Sequence, residues 1–337
     1  MLIQNGVFPS KVRVSSGSAI TLGLVEGFLS AKPRTAYLLT HTNGKCNANC
    51  RFCSQARESK SPRSLLSRVA WPTFSTEKVI SSLKNPAHHD EIRRVCIQAL
   101  NYPEVVEHLL AIVGNIKAQK IEIPISISCQ PLMRESMHKL ADAGVERIGI
   151  SLDAATESLF ERIKGSRAGG PYNWERQRLA LLEAVEVFGK HKVSTHLIVG
   201  LGETEREMLR IIQWSVDNHV CPSLFAFTPI SGTALEHFHP PGINSYRRVQ
   251  LARHLIVEEK TRFKLMEFNG RGRISSFGVS LKILEEAVKS GRPFMTSGCP
   301  GCNRPYYNEK PSGPFYNFPR QPDQKEIAEI SVHIQLS

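Results

Sequence analysis

The sequence predicts an α/β fold, a barrel of parallel strands each followed by a helix, and three observations support it. Short apolar runs alternate with longer amphipathic runs along the 337-residue chain, as in repeated βα units. No internal repeat, low-complexity tract or Gly/Ser linker divides the sequence. The chain offers seven or eight strand candidates, a number that suits a complete or nearly complete (β/α) barrel of the TIM type better than an open doubly wound sheet.

The strand candidates are short apolar runs at residues 36–40, 94–98, 123–128, 147–152, 192–199, 224–228 and 263–268, with an eighth at 294–297. Amphipathic runs predict helices at 131–143, 176–188, 205–218, 245–259 and 279–290. We therefore divide the chain into an N-terminal extension (1–34), a barrel (35–298), and a C-terminal cysteine-containing loop and tail (299–337). This last part is rich in Pro, Tyr and Asn, and we expect it to be ordered and packed on the barrel.

Composition restricts the class of protein. Hydrophobic residues make up 41% and charged residues 22% of the chain, as in soluble globular proteins. No apolar run approaches the roughly 20 residues of a membrane span, and the N-terminus lacks the basic and apolar regions of a secretion signal. We therefore expect a cytoplasmic protein without a membrane partner, in which eight cysteines bind metal rather than form disulfides.

The net charge of +12 predicts attraction to an acidic partner, or a basic surface with no dedicated partner. Nucleic acid is the partner that the sequence favours least. We find no strand face that combines aromatic and basic residues, and no recognition helix. A basic, non-enzymatic nucleic-acid-binding protein with a structural cluster is therefore the least favoured interpretation.

The most informative motif is Cys46-Asn-Ala-Asn-Cys50-Arg-Phe-Cys53. Three cysteines at this spacing can bind three irons of a 4Fe–4S cluster and leave the fourth iron open for a small chelating ligand. A zinc site would need two Cys-x2-Cys pairs or a Cys/His mixture, and His41 does not complete one. The motif, with Phe52 before its last cysteine and a strand before it, resembles the signature of the radical S-adenosylmethionine (SAM) enzymes.

The resemblance extends along most of the chain, from about residue 35 to 268. Residues 192–204 resemble the fifth strand of biotin synthase and its relatives, in which a Gly-x-Gly-Glu turn lies against SAM. Residues 227–235 resemble the sixth strand and its turn, which would place Gly232 and Thr233 at the site. In a barrel, reactive groups gather at the C-terminal ends of strands. The candidate cofactor-binding residues are Phe52, Gln98, Ser151, Asp153, Gly200, Gly202, Glu203 and Thr228.

No side-chain nucleophile is expected, because the resemblance implies that the radical comes from SAM. His196 in the fifth strand is the one weak catalytic candidate, and a hydrogen-bonded interior histidine is the more common outcome for such a residue.

Further cysteines predict a second iron–sulfur site. Cys96 lies in the second strand and Cys129 ends the third. Cys299-Pro-Gly-Cys302 is a Cys-x2-Cys turn, a common half-site for iron–sulfur clusters or zinc. Together the four predict an auxiliary 4Fe–4S cluster; alternatively Cys96 or Cys129 is a small buried apolar residue. We interpret Cys221 as a core cysteine.

The auxiliary set departs from that of biotin synthase, in which the resemblance implies a 2Fe–2S site with cysteines on strands two, three and five and an arginine. Ser194 stands at the third cysteine position, and Arg271 and Arg273 match the arginine only loosely. The C-terminal Cys-Pro-Gly-Cys-Asn-Arg-Pro-Tyr-Tyr-Asn-Glu segment instead resembles the two-component, archaeal-type lipoyl synthases.

That resemblance implies a radical SAM sulfurtransferase that adds sulfur to an octanoyl chain. SAM cleavage at the first cluster would yield a radical that abstracts hydrogen, and the auxiliary cluster would donate the sulfur. The implied partners are a lipoyl carrier protein bearing octanoyl-lysine, a second synthase subunit, and an electron donor such as ferredoxin. Two alternatives stay open, a biotin-synthase-like enzyme and a radical SAM enzyme without sulfur insertion.

Overall fold

The computed structural model describes residues 8–85 and 91–334 of the chain. Within these ranges the strands are β1 (Lys11–Val14), β2 (Thr35–Thr40), β3 (Leu65–Leu66), β4 (Val69–Ala70), β5 (Thr73–Ser75), β6 (Arg94–Gln98), β7 (Ile125–Cys129), β8 (Val145–Ile150), β9 (Val193–Val199), β10 (Val220–Ala226), β11 (Glu267–Phe268) and β12 (Ile274–Ser276). The α-helices are α1 (Ser16–Thr21), α2 (Thr76–Lys84), α3 (Val105–Ala118), α4 (Arg134–Asp142), α5 (Glu157–Ile163), α6 (Trp174–Phe188), α7 (Glu205–Asp217), α8 (Ile243–Val257), α9 (Leu281–Ser290) and α10 (Gln324–Ile334).

One eight-stranded sheet forms the centre of the molecule. In the described residues its strand order is β10-β9-β8-β7-β6-β2-β1-β5. From β2 to β10 neighbouring strands are parallel, whereas β1 pairs antiparallel with β2 and β5. The predicted α/β fold with a mostly parallel sheet is therefore confirmed. Strands β10 and β5 are its edges, and we call the opening between the β10 edge and the β1–β5 edge the seam.

Alternation along each parallel strand separates the hydrophobic core from the interior of the curved sheet. Ile97 of β6 is fully buried in the core, while its neighbours Cys96 and Gln98 face the interior. The register pairs Tyr37 with Cys96 and Cys96 with Ser126. These three residues therefore form one layer across the interior, below a second layer that begins with Gln98.

The predictions of barrel strands at residues 263–268 and 294–297 are wrong. Residues Phe263–Leu265 form a 3-10 turn, and β11 pairs with β12 in a separate hairpin. A second 3-10 turn, Arg292–Phe294, is followed by a single bridge between Met295 and Phe318. Periodicity cannot distinguish so short an apolar run from a buried turn. The described part of the parallel sheet therefore has six strands rather than seven or eight.

The C-terminal chain enters the seam that these missing strands would have closed. We call residues 295–309 the seam segment. At one side the backbone N–H of Leu224 in β10 donates to Ser297 Oγ (2.8 Å). At the other side the backbone N–H of Arg304 donates to the hydroxyl of Tyr37 in β2 (3.1 Å). The seam segment therefore spans from β10 to β2 and carries the C-terminal cysteine turn into the interior.

Glu309 fixes the end of the seam segment. Its buried carboxylate accepts hydrogen bonds from the backbone N–H groups of Asn308 (2.9 Å) and Asn317 (3.0 Å). Burial raises the pKa of Glu309 from 4.5 to about 7, against the opposing effect of these bonds and of Arg304 and Arg247. The carboxyl is therefore protonated more readily in the folded than in the unfolded chain.

We predict that this carboxyl makes folding pH-dependent. Because its pKa is higher in the folded than in the unfolded chain, its contribution to stability is present below about pH 4.5 and is lost as the pH rises toward about 7. Relative to Glu309→Gln, the wild-type free energy of unfolding should fall by on the order of 2 to 3 kcal/mol between about pH 5 and pH 8. Urea unfolding at the two pH values measures this, with the exposed Glu329→Gln as control. An equal pH dependence in Glu309→Gln and wild type would contradict it.

Candidate active site

The loop that follows β2 holds the clustered cysteines at the C-terminal ends of the parallel strands. The backbone N–H of Cys46 donates to the carbonyl of Gln55 (3.0 Å), and that of Cys53 to the carbonyl of Cys50 (2.9 Å). These bonds fold the loop back on itself. The three thiols line one cavity of about 210 Å³, which we call the upper cavity.

Two of the three cysteine sulfurs in this loop accept hydrogen bonds from backbone N–H groups. Backbone N–H groups of Asn101 and Gln55 donate to the sulfurs of Cys46 (3.2 Å) and Cys53 (3.4 Å). The bond from Gln55 lowers the pKa of Cys53, but burial outweighs it and raises that pKa to about 12. Burial also raises the pKa of Cys50 well above its usual value. A bound metal cluster favours thiolate ligands by direct coordination. Three partly buried thiols around one cavity, two of them with N–H donors to their sulfurs, therefore fit an iron–sulfur cluster.

A buried ion pair lies beside Cys50. Lys164 Nζ, at the end of α5, donates to Asp153 Oδ2 and to the backbone carbonyl of Ser151, each at 2.6 Å. The Lys164 ammonium also lies 5.1 Å from the ring centroid of Tyr172. Its positive charge lowers the pKa of Cys50, although burial outweighs this effect. The upper cavity thus has a cation close to one thiol and a carboxylate held in place by that cation.

Five of the predicted cofactor-binding residues line the upper cavity: Phe52, Gln98, Ser151, Asp153 and Thr228. Asp153 holds a left-handed backbone conformation (φ 64°), which an aspartate tolerates better than most residues. The structure therefore brings the strand-end residues of β6, β8 and β10 together with the cysteine loop, as a barrel architecture predicts.

The other three, Gly200, Gly202 and Glu203, line neither this cavity nor the lower one described below. The Glu203 carboxylate instead accepts hydrogen bonds from the backbone N–H groups of Gly200 (2.7 Å) and Leu201 (3.0 Å). Gly232 packs on the outside of the cysteine loop, where an added Cβ would lie 2.5 Å from the backbone nitrogen of Ser61. Contact of the glycine turn with SAM stays a prediction.

A second cavity of about 250 Å³ occupies the interior below the first, and we call it the lower cavity. Cys96 from β6 and Cys299 and Cys302 from the seam segment line it together. The charges of Cys299 and Cys302 add to burial in raising the pKa of Cys96, as expected for neighbouring thiols. Cysteines from two distant parts of the sequence, Cys96 and the Cys299/Cys302 pair, therefore line one cavity.

Each of these sulfurs has a polar hydrogen-bond partner. Gln98 Nε2 donates to Cys96 Sγ (3.1 Å). The hydroxyl oxygen of Tyr37 lies 3.1 Å from Cys302 Sγ, and that of Ser126 lies 3.5 Å from Cys299 Sγ. Amide and hydroxyl donors stabilise thiolates, so this donor set also fits an iron–sulfur group.

The fourth predicted member of this set lies elsewhere. Cys129 lines the upper cavity, and burial alone raises its pKa, to about 12. Three of the four cysteines predicted for the auxiliary cluster therefore line the lower cavity, and the fourth does not. Cys129 ends β7, so its side chain lies near the cysteine loop rather than in the layer of Cys96. Cys221, which we interpreted as a core cysteine, is instead partly exposed on the edge strand β10, and it lines neither cavity.

The two arginines that line the lower cavity, Arg147 and Arg304, are also not those considered from sequence. Arg271 lies in the turn between β11 and β12, and Arg273 directly precedes β12. Neither arginine lines either cavity. Arg304 of the seam segment lines the lower cavity, with its guanidinium 3.7 Å from the ring centroid of Phe225. The Cys-x2-Cys turn signalled this segment, but nothing in the sequence showed that it enters the barrel.

His196 lies in the wall that the two cavities share, with Gln98, Phe225 and Tyr307. Its Nδ1 is 2.8 Å from Ser151 Oγ. Burial, assisted by the charges of Arg304 and Lys164, lowers the pKa of His196 to about 3. The imidazole is therefore neutral near pH 7 and does not supply a charge to either cavity.

Two absences hold for residues 8–85 and 91–334. There, no three His, Cys, Asp or Glu side chains are grouped so that they could share one metal ion. None of the helices in those ranges has the length and apolar character to cross a membrane.

Comparison with known proteins agrees with the fold and the cysteine loop. The sequence profile of the radical SAM superfamily matches residues 40–215. This match runs from the end of β2 through the cysteine loop and the strands up to β9, and it spans more than half of the chain. The protein belongs to the radical SAM superfamily, whose members use a 4Fe–4S cluster and SAM.

Curated relatives include biotin synthases. That of Hydrogenobaculum sp. is 29% identical over 222 residues, or 64% of this chain and 62% of the relative. That of Acinetobacter calcoaceticus is 25% identical over 269 residues, or 77% of this chain and 76% of the relative. A GTP 3',8-cyclase from Microcystis aeruginosa is 27% identical, over 58% of this chain and 56% of the relative. The chain thus spans less than two thirds of the first relative.

Solved structures support the fold. Methylornithine synthase superposes with a TM-score of 0.54 at 13% identity, covering 72% of this chain and 68% of that one. The FeFe-hydrogenase maturase of Carboxydothermus hydrogenoformans gives a TM-score of 0.52 at 15% identity, covering 67% and 52%. At such identities the likeness concerns the fold alone.

Proposed function

We propose that this protein is a sulfur-inserting radical SAM enzyme, a lipoyl synthase component that adds sulfur to an octanoyl chain on a lipoyl carrier protein. One observation carries the proposal. Three hydrogen-bonded thiols, those of Cys96, Cys299 and Cys302, line a cavity that shares a wall with the cavity of the 4Fe–4S loop. A radical site and a sulfur source would therefore be neighbours.

Each of the two cavities would bind one iron–sulfur cluster through its own three cysteines. Cys46, Cys50 and Cys53 would hold the 4Fe–4S cluster, and Cys96, Cys299 and Cys302 the auxiliary iron–sulfur cluster. When bound, these groups supply a hydrogen-abstracting radical at one site and a sulfur source at the other. Phe225 and Tyr307 line both cavities, and their rings would help to exclude water between the two sites.

The auxiliary thiols favour a lipoyl-type enzyme over a biotin-synthase-type one. Ser194 lines the lower cavity at the position where the biotin synthase pattern would have a cysteine. The seam segment supplies two cysteines in its place. The similarity to curated biotin synthases nevertheless makes a biotin-synthase-like activity the second candidate.

The proposed partners follow from the substrate. The octanoyl chain would arrive on a lysine of a lipoyl carrier protein, and a net charge of +12 would steer an acidic carrier toward the enzyme. A second synthase subunit and an electron donor such as ferredoxin complete the proposed set. Carrier affinity that does not change between low and high salt would argue against electrostatic steering.

The test is an anaerobic assay with the reconstituted protein, SAM, a reductant and an octanoylated carrier domain. Mass spectrometry of the carrier should show at least one C–H bond replaced by a C–S bond, with 5′-deoxyadenosine formed. Dethiobiotin is the parallel substrate and should gain no sulfur. Sulfur added to dethiobiotin but not to the octanoyl chain would favour the biotin-type candidate. SAM cleavage without any sulfur transfer would contradict both.

A further inference from the structure

The lower cavity does not end at the strands but continues sideways into the seam. There its lining comes from three separate segments: the loop before β2, the β3–β4 hairpin with the residues after it, and the seam segment. We call this outer part the seam groove and define it by Leu29, Ala31, Pro33, Val69, Trp71 and Tyr306. None of these six side chains is charged, whereas Arg147 and Arg304, the two arginines of the cavity, come from β8 and the seam segment.

The inner end of this groove is the chemically active end. It reaches Cys96, Cys299 and Cys302, and beside them the wall shared with the upper cavity. A ligand in the groove would therefore place its inner tip next to both the auxiliary thiols and the radical site. The outer end lies at the loop before β2, where Phe28 is 91% exposed.

Trp71 closes one side of the groove. The residue is only 2% exposed and belongs to the hydrophobic core, so its indole forms a fixed apolar wall. A fixed apolar wall suits a hydrocarbon ligand.

We propose that the seam groove is the binding site of a linear acyl chain attached to a lysine of the carrier. The methyl end points inward to the thiols and the shared wall, and the amide carbonyl lies outward toward the loop before β2. This inference rests on the proposed function and adds to it the place and direction of substrate binding. A groove lined by uncharged side chains fits a hydrocarbon chain, and the chain enters through the seam rather than past the 4Fe–4S loop.

The first test blocks the groove. Ala31 is partly exposed and lines the groove, so Ala31→Phe should narrow it without disturbing the core. Calorimetry with an octanoyl-lysine peptide should show at least a tenfold loss of affinity relative to the wild type. Iron and sulfide contents should be unchanged. Met133→Phe, which adds a ring at a 72% exposed position outside both cavities, should bind like the wild type.

A second measurement uses the reconstituted wild-type protein and needs no variant. An octanoyl-lysine peptide with a diazirine on the carbon next to the carbonyl should label Val69, Trp71 or Tyr306. Labelling of Leu100 or Tyr172, which line only the upper cavity, would overturn the proposal, as would unchanged affinity in Ala31→Phe. Free octanoate that binds as tightly as the peptide would overturn the assignment to a carrier-linked chain.

The sulfur-transfer assay distinguishes failure of the proposed function from failure of the proposed acyl site. An enzyme without an auxiliary cluster would transfer no sulfur in the assay above, whatever the diazirine probe labels. Conversely, sulfur transfer with labelling confined to the upper cavity would keep the function and reject the seam groove as the acyl site.

Discussion

Replacing both Cys299 and Cys302 by alanine is expected to remove about four irons per chain from the reconstituted protein and to abolish sulfur transfer. The remaining iron, about four per chain, should belong to the Cys46/Cys50/Cys53 loop. Because that loop is formed by other residues, cleavage of SAM to 5′-deoxyadenosine should persist. Iron and sulfide analysis, with separate assays of SAM cleavage and of sulfur in the product, measures the three effects.

The matched control is Cys221→Ala. Cys221 also carries a free thiol, but it lines neither cavity, so its loss should leave iron content and both activities unchanged. If the Cys299/Cys302 variant kept its full iron content, the two thiols would not hold a cluster. If it lost SAM cleavage as well, the two sites would not be independent.

Lys164→Met is expected to destabilise the protein by about 3 to 5 kcal/mol, because it leaves the Asp153 carboxylate buried without its partner. The side chains of this pair are only 6% and 9% exposed, and the atoms are 2.6 Å apart. Adding Asp153→Asn removes the stranded charge, so the double variant should recover most of the loss. Urea unfolding under anaerobic conditions measures all three proteins.

The comparison variant for Lys164 is Lys139→Met. Lys139 forms an exposed pair with Glu135 one helical turn away, and loss of such a solvent-screened pair should have little effect on stability. Similar effects of the two substitutions would show that the Lys164–Asp153 pair contributes no more than a surface pair. A double variant as unstable as Lys164→Met would show that the stranded carboxylate is not the cause.

Much of the upper cavity could be predicted because its residues are tied to strand ends. Gln98, Ser151 and Thr228 follow or end apolar runs that are recognisable in sequence, and parallel strands bring such ends to one edge. The cysteine spacing predicted the loop independently of the fold. The cysteine spacing and the strand pattern are unrelated signals that indicate the same place. This is why the structure shows the predicted residues around one cavity.

The lower cavity and its ligands could be predicted only in part. Cys96 faces the interior because it alternates with buried neighbours along β6, whereas Cys129 ends β7 and lies one level higher. The entry of Arg304 into the interior depends on long-range contacts of an aperiodic segment, such as its N–H bond to Tyr37. Lys164 was missed because no local pattern links a lysine at the end of α5 to Asp153.

The role of the Gly-x-Gly-Glu turn could not be predicted from its sequence alone. A Gly-x-Gly-Glu sequence fits close approach of the backbone to a ligand, but Glu203 also satisfies the turn by itself through the N–H groups of Gly200 and Leu201. One local sequence therefore serves as a self-capped turn or as a ligand contact. Only the surrounding structure distinguishes the two.

The central claim is that the chain holds a second iron–sulfur cluster beside the radical SAM cluster. The most direct measurement is iron and sulfide in anaerobically reconstituted protein in which Cys46, Cys50 and Cys53 are all alanine. We predict that about four irons and a similar amount of sulfide per chain remain, held through Cys96, Cys299 and Cys302. If almost no iron remains, these thiols hold no cluster, and the protein is a radical SAM enzyme without a sulfur source.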